Sequence, residues 1–173
     1  MDAIAPSVDT IEALRAIASG GFRYQTTKEI AIAAGWRLND NELKLGYVAF
    51  DVRPDCGKDM VSRLVVEVRE GGRSPRAFVP LFYFEEYEAE RKTFDQAFRL
   101  ISDRLVDVLG SPSASGKYHY PHRNEWPYLY SWWAAAGATF ILVQDEFDIQ
   151  FGMDVTLWVL PASIAVALPV SGR

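Results

Sequence analysis

Three groups of side chains in the chain have types and spacings that suit chemistry. The two histidines, His119 and His122 in "KYHYPHRNE", lie three residues apart and three residues short of Glu125. Nitrogen and oxygen donors at such intervals are what a zinc or iron site recruits, provided that a rigid frame makes them converge. Here Pro121 sits between them in a stretch whose composition reads as loop, so two solvated histidines and no bound metal are the expectation. Asp145, Glu146 and Asp148 in "QDEFDIQ" offer paired carboxylates for acid and base work. Spacing by one or two residues is generic, however, and neither a nucleophile elbow nor a neighbouring histidine supports it. The one cysteine, Cys56 in "RPDCGKD", has only Lys58 as a charge partner and reads as an inert turn residue. There is no GxGxxG, no P-loop and no HExxH, so no cofactor is expected.

Charge and aromatic content separate the chain into two regions. The net charge is −5, and residues 124–172 contain no lysine or arginine while holding Glu125, Asp145, Glu146, Asp148 and Asp154. Trp126, Tyr128, Tyr130, Trp132, Trp133, Phe140, Phe147, Phe151 and Trp158 fall in that same stretch. An acidic, aromatic region disfavours nucleic acid, because a phosphate backbone needs clustered Lys/Arg to displace its counterions. It suits a basic protein partner instead. On this reading Asp145, Glu146 and Asp148 form an exposed charged joint with one of Phe147 or Phe151 as contact area, and Tyr118, Tyr120 and Trp126 add an exposed aromatic patch of the kind that anchors interfaces. Trp132 and Trp133 are adjacent, so in a strand one must enter the core and the other must face away from it.

The elements that must position these residues follow from periodicity. Ser7 and Asp9 cap a helix carrying Ile11, Leu14, Ile17 and Ala18 at helical spacing, and Gly20-Gly21 ends it. "TTKEIAIAAGW" predicts a second, short helix with Thr26 and Glu29 as a capping box. "ELKLGYVAFDV" and "VSRLVVEVRE" alternate with period two and predict a hairpin, followed by "RAFVPLFYF", a third strand whose Pro80 requires an edge or a bulge. "FDQAFRLISDRLVDVLG" then carries Phe94, Phe98, Ile101, Leu105 and Val108 on one helical face. The preceding "EEYEAE" supplies negative charge to the start of that helix. Residues 111–128 read as a long Ser/Gly/Pro-rich loop, and "YLYSWWAA", "TFILVQDE" and "DVTLWVLP" as a second meander with turns at Gly137 and Gly152. Runs of strands rather than alternation with helices predict an α+β fold, a largely antiparallel sheet of about six strands with the long helix on one face.

A chain of 173 residues with 49% hydrophobic and 24% charged residues is suited to one soluble domain over residues 1–173. The start of the chain carries Asp2, Asp9 and Glu12 with no basic, then apolar, leader, and "ASIAVALPV" is about half the length that a bilayer needs. A cytoplasmic location without membrane contact is therefore expected, in keeping with a single cysteine.

The C-terminal half, "WPYLYSWWAAAGATFILVQDEFDIQFGMDVTLWVLP", preceded by the helix "FDQAFRLISDRLVDVLG", resembles small actinobacterial proteins and the immunity proteins that accompany bacterial polymorphic or secreted toxins. The shared traits are size, acidity, an amphipathic helix ending in LG before a Pro/Ser loop, and a terminal aromatic meander. The resemblance implies a protein without catalytic activity that binds one cognate toxin, whose basic cleft would meet the acidic surface. A non-catalytic interaction or regulatory module ranks second, and a small-molecule-binding or hydrolytic enzyme third.

Overall fold

A computed structural model describes residues 6–39, 47–52, 62–67, 76–84, 91–120, 123–145 and 153–168. The fold is α+β. Among the described residues three helices, α1 (Val8–Ser19), α2 (Tyr24–Ala33) and α3 (Arg91–Leu109), accompany eight strands: β1 (Arg37–Asn39), β2 (Tyr47–Val52), β3 (Ser62–Glu67), β4 (Arg76–Phe84), β5 (Ala114–Tyr120), β6 (Arg123–Ala135), β7 (Ala138–Asp145) and β8 (Met153–Pro161). They form one antiparallel sheet in the order β1-β2-β3-β4-β8-β7-β6-β5. The two expected meanders are both present, and β4 pairs with β8 to fuse them.

Two strands beyond the expected six appear. β1 is too short for periodicity to reveal it. β5 occupies the first part of the stretch that reads as a loop, and the 111–128 loop is instead a hairpin arm. Ser and Gly content signals a loop, but Gly116 has another use. It pairs with Tyr130, and an added Cβ would come within 3.0 Å of the Tyr130 ring. The glycine leaves room for an aromatic ring to lie across the strand.

Ser7 caps α1 as its position predicts, its hydroxyl accepting from the Thr10 amide at 3.2 Å. The capping box of the second helix is not realised. Its N-cap is Arg23, and Thr26 lies one turn inside, because the helix begins before the threonine pair. Pro80 takes the bulge rather than the edge: β4 lies between β3 and β8, and its register against β8 shifts between Pro80 and Phe82.

Adjacent Trp132 and Trp133 head two rows that cross the sheet on opposite faces. Trp133, Phe140, Val159 and Ala77 stand side by side in register and are all buried. α3 covers this face, burying Phe94, Ala97, Phe98, Ile101 and Leu105. The Trp133 indole N–H donates to the Gly110 carbonyl at 2.8 Å, which ties the end of α3 to β6. The other row runs from the half-buried Trp132 through Ile141 and Trp158 to Phe78. The Phe78 and Trp158 ring centroids are 4.7 Å apart, and the Arg76 guanidinium lies 4.9 Å from the centre of the Trp158 ring. Every residue of β7 is buried, so this strand is the centre of the molecule.

α1 packs against β8 and β7, and its last residue approaches the β6–β7 turn. At Gly137 φ is +78°, and a Cβ there would press on the Ser19 side chain, whose Cβ lies 3.2 Å away. Gly137→Ala should therefore lose roughly 1–2 kcal/mol, from the left-handed backbone and from displacement of Ser19. Chemical denaturation of that variant checks the estimate. No helix among the described residues is long and apolar enough to cross a membrane.

Candidate functional site

Asp145 is the last residue of β7, and its partner in the ladder is Asp154 near the start of β8. Residues directly opposite in an antiparallel pair point to the same face, so the two carboxyls are neighbours. Both are buried, Asp145 to 0% exposure and Asp154 to 7%. The Thr156 hydroxyl, two residues along the same strand face, donates to the Asp154 carboxyl at 2.8 Å. Burial and the adjacent Asp145 carboxylate push the Asp154 carboxyl up to about 8, against the Thr156 hydrogen bond, which pulls it down. Asp154 is therefore protonated through most of the neutral range.

Asp145 was expected at the surface, and its burial corrects that expectation. The physical cause is what covers the end of β7: Asp145 pairs with Asp154 in the ladder and is buried with it, so the acid closes the ladder rather than opening a joint. Glu146, Phe147 and Asp148, the rest of the expected joint, lie outside the described residues. Tyr118 is also corrected from exposed to buried, at 8% exposure. Its hydroxyl donates to the Gln144 carbonyl, and its ring sits 5.7 Å from Tyr128 and 6.4 Å from Tyr130. β5 folds back onto β6 and carries Tyr118 into the sheet. The backbones of Tyr120 and Trp126 belong to β5 and β6, and their side chains lie outside the described residues. His119 is exposed on β5, His122 lies outside the described residues, and no metal-holding cluster occurs among those described.

On the opposite face, Gln144 organises a polar clip that the sequence did not signal. Its amide N–H donates to Asp95 of α3 at 2.9 Å, and its carbonyl oxygen accepts from the Leu129 amide at 2.7 Å. Arg91 contacts Asp95 at 3.5 Å and donates to the Pro127 carbonyl. The β6–β7 ladder runs only as far as Tyr130 and Val143. Beyond it, the Gln144 side chain takes the amide that a neighbouring strand would have satisfied.

With Asp145, Asp154 and Tyr118 withdrawn into the sheet, the aromatic surface left accessible among the described residues is elsewhere. Tyr130 and Trp132, at alternate positions of β6, are half-buried and share one face. Ala134, Ala135, Ala138 and Thr139 leave space beside them, forming a groove of about 580 Å³ that Ala162, Ile164, Ala165, Val166 and Leu168 also line. Small residues make the depression, and two large aromatic residues form its wall. This is the arrangement that receives an apolar side chain of a partner. The pair Trp132 and Trp133 behaves as adjacency requires, one facing this groove and the other in the core. The sequence signal for the groove was the run of alanines after the tryptophans, "WWAAAGAT", which reads only as a turn until the sheet is assembled. Across known proteins, no family model, curated protein or solved structure matches the chain.

Proposed function

We propose that the protein is an immunity-type binding protein that neutralises a cognate toxin by occupying it, and that the groove beside Tyr130 and Trp132 is its principal contact surface. The observation that carries this reading is the placement of those two side chains, which are half-buried and held by a central sheet, next to a depression lined by alanines. Rigid aromatic anchors of this kind hold most of the energy of a protein interface at little entropic cost. β5 lies beside them as an edge strand of the sheet, with Lys117 and His119 exposed. An edge strand offers backbone groups for pairing as well as side chains. Asp145 is assigned to the sheet, and Glu146 and Asp148 lie outside the described residues.

A volume of about 580 Å³ also falls within the range of small-molecule pockets, which favours an apolar ligand as the second reading. Capture of the partner with tagged protein from the native cell, followed by titration of parent and variant, distinguishes the two. Trp132→Ala should leave the thermal transition close to that of the parent and weaken the captured partner by roughly 30-fold or more, as expected for an interface anchor of about 2 kcal/mol. An unchanged affinity would move the interface away from the groove. Capture of an apolar small molecule in place of a protein would establish the second reading.

A further inference from the structure

After Pro161 the chain turns back, and Ala162, Ile164, Ala165, Val166 and Leu168 line the groove together with Tyr130 and Trp132. Ile164, Val166 and Leu168 are half-buried and pack on the core, while Ser163, Ala165 and Ala167 are exposed. This alternation has the period of an extended strand. The segment nevertheless joins no ladder. Its backbone bonds run from the Ala162 amide to the Gly137 carbonyl at 3.3 Å and from the Ile164 amide to the Pro161 carbonyl at 3.0 Å, both at its start. Among the described residues, no backbone hydrogen bond holds 165–168.

We infer that residues 162–168 are a displaceable strap over the groove, and that it yields to an extended apolar segment of the partner with branched aliphatic side chains at alternate positions. The inference rests on the reading of the groove as a contact surface and names what that surface takes. The chain's own segment shows which chemistry fits: Ile164, Val166 and Leu168, at alternate positions, pack on the core there and line the groove together with Ala165. Contacts through half-buried side chains are offset by the cost of ordering the backbone, so a segment without ladder bonds belongs to the low-stability end of the molecule. A partner segment that adds backbone pairing would replace it.

The probe is a labelled synthetic peptide, ASIAVAL, copying residues 162–168. It is titrated by fluorescence anisotropy against the full chain. A tethered segment competes at an effective concentration in the millimolar range, so the parent should bind the free peptide weakly, and the triple variant Ile164→Asp, Val166→Asp, Leu168→Asp roughly tenfold more tightly. Adding Trp132→Ala to the triple variant should abolish the gain. Equal affinity for parent and triple variant, or affinity indifferent to Trp132→Ala, overturns the strap. Should near-ultraviolet circular dichroism show that the triple variant is misfolded, hydrogen exchange on the parent decides. The amides of 165–168 should exchange on the order of 100-fold faster than those of β7, as fraying amides do relative to core ones, and protection equal to β7 overturns the strap. A captured partner that loses affinity with Trp132→Ala and is indifferent to the triple variant removes the strap alone and leaves the binding reading in place.

Discussion

Asp154→Asn should stabilise the protein by roughly 2–4 kcal/mol at neutral pH and by far less at pH 4, because the substitution removes a carboxyl that the fold keeps protonated. The Asp154 carboxyl is raised from 3.8 to about 8, first by burial and second by the Asp145 carboxylate across the ladder. Between those two values the folded chain holds a proton that the unfolded chain releases. Folding therefore loses stability as pH rises through this window: the contribution is complete below the unfolded value and is gone above about 8. Asparagine keeps a carbonyl oxygen for the Thr156 hydroxyl, now at 2.8 Å from the carboxyl, and carries no charge to desolvate. Denaturation midpoints of parent and variant from pH 4 to pH 9 test this. The two curves should diverge with rising pH, the parent falling below the variant. Parallel curves would show that the Asp154 proton is not linked to folding.

The largest loss is expected at α3. Phe98→Ala should destabilise by ~3–5 kcal/mol, the usual cost of emptying a buried aromatic site. Phe98 is 5% exposed and stands on the stripe with Phe94, Ile101 and Leu105 that faces the sheet. β7, below it, is buried along its whole length, so the surroundings have little freedom to collapse into the space. Leu100, on the same helix but 40% exposed, is the internal control. Leu100→Ala should change stability by no more than ~0.5 kcal/mol. A Phe98→Ala variant that melts with the parent would remove α3 from the core.

The sequence by itself determined the parts that depend on local chemistry. Ile11, Leu14 and Ile17 on α1 and Phe94, Phe98, Ile101 and Leu105 on α3 repeat at helical spacing because each helix has one covered side, and each of these positions is buried. Period-two alternation in "ELKLGYVAFDV" and "VSRLVVEVRE" announced strands, as did the continuous apolar runs in residues 138–145 and 153–161, and adjacency alone required Trp132 and Trp133 to part. Only the tertiary structure decided where those elements end and what lies across from them. An acid at the end of an apolar run looks solvated until the neighbouring strand is known, and here Asp145 meets Asp154 inside the sheet. A Ser/Gly stretch looks like a loop until β6 offers it a ladder and Tyr130 needs the space at Gly116. Gln144 gave no periodic signal at all, because its bonds join residues 15 and 49 positions away in the chain. Burial on two faces, cross-strand pairing and the groove beside Trp132 all arise between segments distant in sequence, which is why pattern along the chain predicts the elements while the site depends on their assembly.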